Sequence, residues 1–167
     1  IGPFGEAVGI LAERGGAFEV TIPTVPHVAE IVEQATAGWT VRPRIVQGEA
    51  AKWGAFGNAD AALAASGTVG LELALARIPF VSCYKTDPVI GPALMRRITS
   101  WSGSLPNLIA GWPVVPEYYD AQVRPERLAR TIEQLSANTA ARSAQLAGFA
   151  EVAERMAVAR PPGELAA

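Results

Sequence analysis

A chain of 167 residues with 50% hydrophobic and 18% charged positions is long enough for one domain with a sizeable core and too apolar for global disorder. A formal net charge of -2 excludes a fold-wide basic surface for nucleic acid. The single cysteine, Cys83, excludes an internal disulfide framework and a multi-cysteine metal site, and the single histidine, His27, excludes a His-rich one.

The chain opens Ile1-Gly2-Pro3-Phe4, with no initiator methionine and no basic segment ahead of an apolar stretch, so it reads as a fragment. Phe4, Val8, Leu11 and Ala12 share a helical face that Gly15-Gly16 stops. Phe18 to Ile22 alternates as a strand, and Pro23 is expected to end it. Val28, Ile31, Val32 and Ala35 form the next helical stripe, closed near Gly38; His27, just ahead of it, reads as a surface-loop histidine, with a place lining the cleft as the alternative. Val41 to Val46 reads as a strand weakened by Pro43, and Glu49 to Phe56 as a short helix. Ala61 to Ala65 is a short apolar strand. A helix from Gly67 to Ala76 follows, with Leu71, Leu75 and Ile78 on one face. Pro79 to Tyr84 is another apolar strand and Pro88 to Ile98 a helix ending in Arg96-Arg97. Ser100 to Asp120 reads as a structured loop with one short helix. Leu128, Ile132 and Leu135 mark a helix with Pro125 in its first turn. A last helix, Ala140 to Ala159, carries Leu146, Phe149, Ala153 and Met156, and Pro161-Pro162 closes it. The most apolar window, Ala61 to Tyr84, is interrupted by Gly67, Gly70, Glu72, Arg77 and Pro79, so no transmembrane helix is expected.

Strands alternating with helices predict an α/β fold: a Rossmann-like, mostly parallel sheet with helices on both faces and extra C-terminal helices. Ligands of such sheets sit at the carboxyl ends of the strands. There, Ala65-Ser66-Gly67-Thr68 hands a strand directly to a helix. Ser66 is suited to capping, Gly67 to close approach of a ligand, and the free amides of the helix start to a diphosphate. Glu72, one turn on, can accept hydrogen bonds from two vicinal ribose hydroxyls. From pattern alone, a capped helix with a solvated glutamate accounts for the same residues. The turn is neither a P-loop, since no lysine follows the glycine, nor a G-x-S-x-G nucleophile elbow, and no G-x-G-x-x-G fingerprint follows a strand. Ser102-Gly103-Ser104-Leu105-Pro106-Asn107 is a second candidate: its asparagine can contact a sugar, a base edge or a phosphate, or can form an Asx turn capping Leu108 to Ala110. Cys83, inside an apolar strand, reads as an inert core thiol.

The run Ala65-Ser66-Gly67-Thr68 with Leu71-Glu72, then Pro79 with Tyr84-Lys85, then Ser104-Leu105-Pro106-Asn107-Leu108-Ile109-Ala110-Gly111, resembles the lipid-A-disaccharide synthase family. Val115-Pro116-Glu117 and Pro125-Glu126-Arg127-Leu128-Ala129 follow in the matching order. The resemblance covers essentially the whole chain and is to the C-terminal, donor-binding half of a GT-B glycosyltransferase. It implies a UDP-sugar donor domain over 1–136, a C-terminal helix over 137–160 and a disordered tail over 161–167.

By that resemblance the enzyme is a hexosyltransferase. It moves 2,3-diacylglucosamine from its UDP donor to diacylglucosamine 1-phosphate, giving lipid A disaccharide 1-phosphate and UDP. Ser66, Gly67 and Thr68 would hold the diphosphate, Glu72 the ribose, and Ser104, Leu105 and Asn107 the donor near the reacting centre. No metal or other cofactor is implied. The catalytic carboxylate and arginine, together with a Gly-Ser-Arg strand turn expected ahead of Phe4, lie outside this chain, so the fragment alone is expected to be inactive. The partners implied are the UDP-diacylglucosamine donor and a lipid acceptor, with no nucleic acid. The implied location is the cytoplasm, peripheral on the inner-membrane face of a bacterium, with Arg96-Arg97 and the nearby tryptophans as a candidate lipid contact. A homodimer by exchange of the C-terminal helix is a further expectation. Trp112-Pro113 and Tyr118-Tyr119-Asp120 depart from the family's usual residues. Other readings are another UDP-sugar GT-B enzyme, such as a peptidoglycan-precursor transferase or a UDP-GlcNAc 2-epimerase, and a non-catalytic nucleotide-binding module.

Overall fold

The computed structural model describes residues 1–65, 67–86 and 100–157. In chain order they form α1 (Gly2–Glu13), β1 (Thr21–Thr24), α2 (Pro26–Thr36), β2 (Arg44–Gln47), α3 (Glu49–Gly57), β3 (Ala62–Ala64) and α4 (Thr68–Leu75). Then come β4 (Phe80–Tyr84), α5 (Leu105–Ala110), β5 (Glu117–Tyr119), a single 3-10 turn (Asp120–Gln122), α6 (Pro125–Ser136) and α7 (Ala140–Met156). Proline opens α1, α2, α5 and α6, where its fixed φ helps and its missing N–H costs nothing. The Thr139 side chain caps α7 by accepting the Arg142 N–H at 3.1 Å. The helix expected over Pro88 to Ile98, with Arg96-Arg97, and the tail 161–167 lie outside the described residues. No helix among the described residues is long and apolar enough to cross a membrane.

All strand pairs are parallel and fall in two sheets, β1-β2 and β3-β4-β5. Side-chain alternation along β3 and β4 sends successive residues to opposite faces. On one face Ala64 and Phe80 join Leu73, Ala74 and Ile78 at α4, Ala110 of α5, and Phe149 and Val152 of α7. On the other, Leu63, Val81 and Cys83 meet Ala7 of α1 and Leu128 and Ala129 of α6. Helices therefore cover both faces of the three-stranded sheet, as the alternating sequence pattern predicts. Burial pushes the Cys83 thiol up to about 12, so it stays protonated and unreactive at neutral pH.

Four sequence expectations are corrected. The first strand does not stop at Pro23 but runs through it. The Arg44 N–H donates to the Val20 carbonyl at 2.8 Å, so by the period of two the Pro23 nitrogen faces away from β2 and removes no rung. The α2 stripe is turned: Ala29 and Thr36 are buried, while Ile31 is 63% exposed. Likewise Leu75 is exposed on α4, where Leu73 and Ala74 face the core. The segment before Asp120 contains a helix and also the strand β5. Three residues are enough for β5 because β4 supplies the partner backbone.

The last helix buries only part of its predicted apolar stripe: Phe149 and Leu146 join the core, and the rest of the stripe does not. Gln145, Gly148, Phe149 and Val152 are buried, whereas Ala153 and Met156 are exposed. The glutamine is used as a polar bracket. Its side chain accepts the Phe80 N–H at 2.8 Å and donates to the Phe80 and Val114 carbonyls at 3.0 and 3.2 Å. Gly148 is required by proximity: a Cβ there would lie 2.4 Å from Val114 Cγ1. The helix thus packs against its own chain.

Candidate functional site

One rung of the larger sheet aligns Ala64, Ser82 and Glu117, and the strand ends beyond it define a single carboxyl edge. The chain leaves β3 at Ala64 and enters α4 through Gly67, whose φ of 99° and ψ of −157° are open to glycine and strained for other residues. Among the described residues nothing lies within 4 Å of the place a Gly67 Cβ would occupy, so the glycine serves the backbone conformation and leaves open space there. Gly67, Thr68 and Val69 are exposed, and no side chain of a described residue caps the start of α4. The first amides of the helix are therefore offered outward with the positive end of its dipole. Ser66, expected in the same turn, lies outside the described residues.

Glu72 is one turn further on, on the same helical face as Thr68. Its Oε1 lies 3.0 Å from Lys52 Nζ, an ion pair reaching across from α3. Lys52 also lies 3.1 Å from Glu49, and the Trp53 indole N–H donates to Glu49 at 2.6 Å. The two carboxylates, Glu72 first, hold the Lys52 ammonium above its ordinary pKa, and Lys52 and Trp53 hold Glu49 below its own. Sequence reasoning found Glu72 and missed Lys52. The two are 20 residues apart, and no local pattern marks a pair that only the α3–β3–α4 turn brings together.

The second candidate segment folds around a carboxylate that sequence reasoning named only as part of a matching stretch. Glu117 receives the Ser102 hydroxyl at 2.5 Å, the Gly103 N–H at 3.0 Å, the Asn107 amide at 3.0 Å and the Tyr119 hydroxyl at 2.8 Å. Asn107 is fully buried. Its amide also donates to the Val115 carbonyl at 3.0 Å and accepts the Val115 N–H at 2.7 Å. It therefore sits inside α5 as a clamp between that helix and β5, with no surface of its own, and makes no Asx turn ahead of Leu108. Ser104 is buried at the start of α5, its hydroxyl without a hydrogen-bond partner among the described residues, and Leu105 is half-buried beside it.

Tyr84 and Tyr119 stack at 4.9 Å between centroids, and the Tyr84 hydroxyl donates to the Gly103 carbonyl at 2.5 Å. Burial first, and then Glu117, pushes the Tyr119 phenol up to about 12. The Ser102–Ser104 loop is thereby held against the ends of β4 and β5. The two candidate groups are carried by α4 and α5, which pack on each other. His27 is exposed in the first turn of α2.

A parallel α/β sheet with a glycine turn into a helix at its carboxyl edge, and a second polar loop held along the same edge, defines a Rossmann-like half of the GT-B kind. The chain matches the family described as lipid-A-disaccharide synthetase over residues 3–159, and it belongs to that family. It is 42% identical over 149 residues to the lipid-A-disaccharide synthase of Rhodopseudomonas palustris strain BisB18, covering 89% of this chain and 38% of that protein. It is 41% identical over 165 residues to the Bradyrhizobium diazoefficiens enzyme of the same name, covering 98% and 42%. With the Paramagnetospirillum magneticum protein, again a lipid-A-disaccharide synthase, it shares 40% over 171 residues, covering 100% and 43%. The chain spans about two fifths of the length of these curated relatives.

Proposed function

We propose that this chain is the donor-binding part of a hexosyltransferase that moves 2,3-diacylglucosamine from UDP to diacylglucosamine 1-phosphate, releasing UDP and lipid A disaccharide 1-phosphate. The observation that carries the reading is the open Gly67 turn into α4, in a chain whose family match runs from residue 3 to 159. Ser66, Gly67 and Thr68 hold the diphosphate and Glu72 the ribose. Ser104 and Leu105 meet the sugar end of the donor, and Asn107 supports them from beneath by tying α5 to Glu117. As the glycosidic bond breaks, negative charge grows on the departing UDP, and the outward amides of α4 stabilise it without a metal ion. The base that takes the acceptor hydroxyl proton comes from the rest of the enzyme, so this chain binds donor without turning over. The working location is the cytoplasmic face of the inner membrane, where the lipid substrates are met.

Titration calorimetry of the chain with UDP, with and without EDTA, tests this. Binding that is unchanged by the chelator is expected. Loss of binding on chelation overturns the metal-free assignment. Absence of binding by a chain that still melts cooperatively overturns the donor site itself.

A further inference from the structure

We propose that Lys52 is a positioning residue for nucleotide recognition: its ammonium fixes the Glu72 carboxylate so that the remaining oxygen meets the vicinal hydroxyls of a ribose. The inference rests on the donor-site reading above and assigns a role to a residue on a different element. Lys52 binds only Oε1 of Glu72, at 3.0 Å, and the other carboxylate oxygen carries no hydrogen bond among the described residues. The lysine side chain is 20% exposed and the glutamate 33%, so the pair lies at the surface without being freely solvated. Glu72 shares its helical face with the exposed Thr68 at the open turn, so the carboxylate and the turn border one stretch of surface.

An unsupported glutamate on a helix surface samples many rotamers, and ordering one on ligand binding costs free energy. Lys52 removes that cost beforehand, and it is itself held. Glu49 takes the other side of the ammonium at 3.1 Å, and the Trp53 indole anchors Glu49 at 2.6 Å. Trp53, Glu49 and Lys52 lie on one short helix, α3, so the relay ends in a single geometry at Glu72. An ion pair serving only to join α3 to α4 accounts for the same distances, but it predicts an effect on stability and none on ligand discrimination.

The experiment therefore measures discrimination. Calorimetry of the 167-residue chain compares UDP with 2′,3′-dideoxy-UDP for the unchanged protein, Lys52→Met, Lys52→Arg and Glu72→Gln, with melting curves alongside. Glu72→Gln is expected to erase the preference for UDP. Lys52→Met is expected to reduce that preference by about tenfold, the scale of one hydrogen bond to a charged group, with Lys52→Arg restoring most of it. If Lys52→Met keeps the full preference while Glu72→Gln loses it, the ribose reading stands and the Lys52 proposal falls. If Lys52→Met weakens both ligands equally, or only lowers the melting temperature, the pair is structural and the proposal falls. If Glu72→Gln keeps the preference, or the unchanged chain binds neither ligand, the donor-site reading fails and takes the proposal with it.

Discussion

Asn107 shows how a residue's type and its role separate. Its side chain ties two strand-end groups together, making three hydrogen bonds in a site of zero exposure. Asn107→Ala strands the Val115 N–H and carbonyl and leaves a small void. An unpaired buried polar group costs about 1–3 kcal/mol, so a loss of about 2–4 kcal/mol of unfolding free energy is expected by urea denaturation. A change below about 0.5 kcal/mol, the level of a neutral surface substitution, would contradict the clamp. That this asparagine matters was legible from its loop of Gly, Ser and Pro; that it faces inward was not. Its partners are Val115 and Glu117, and their positions depend on β5, a strand of three residues that carries no alternation signal of its own. Glu117 and Lys52 went unseen for the same reason, since each acquires its meaning from a group on another element.

At the scale of elements, the order of strands and helices was readable because Pro and Gly punctuate it and the apolar periods alternate. The inward face was readable for α1 and α6, where Val8, Leu128 and Leu135 are buried as their spacing predicts, and not for α2, α4 and α7. On α7 the apolar spacing points to Leu146, Phe149, Ala153 and Met156, yet only the first two reach the core, and the helix lays Gly148 against Val114 and inserts Gln145 beside the start of β4. Close approach of backbone outweighs a longer apolar stripe there, because the glycine lets Phe149 stack on Phe80 at 5.9 Å. Gly148→Ala would put a Cβ 2.4 Å from Val114 Cγ1, and overpacking of this kind costs about 1–3 kcal/mol. Gly148→Ala combined with Val114→Ala should recover part of that loss, giving a coupling of about 0.5 kcal/mol or more in a double-mutant cycle by thermal denaturation. Strictly additive effects would mean that the helix shifts instead of clashing.

For the whole molecule, α7 is a component of the fold and not an appendage. Phe149 and Val152 cover Phe80, Ile78, Val114 and Val115, and removal of one buried phenylalanine side chain alone costs about 3–5 kcal/mol. Set against a total stability of about 5–15 kcal/mol, truncation after Ser136 is expected to abolish the cooperative thermal transition. Calorimetry of the intact and shortened chains decides this. A shortened chain that still melts sharply, a few degrees lower, would show that α7 is dispensable and free to be traded between copies.

The separation of the strands into two sheets has its own consequence. The Ala62 N–H bonds the Pro79 carbonyl at 2.8 Å, so Ala62 and Ala64 spend their main-chain groups on β4 while those of Leu63 point the other way. On β1 the outward residues are Thr21 and Pro23, and the proline has no hydrogen to give. The two rims are thus unequal. The rim of β3 presents the N–H and carbonyl of Leu63, and that of β1 is blunted at Pro23 by an imino acid. A strand added on the β3 side would meet both a donor and an acceptor at Leu63, and one added on the β1 side would meet an acceptor alone at Pro23, so the two rims differ in how well they can template a further strand.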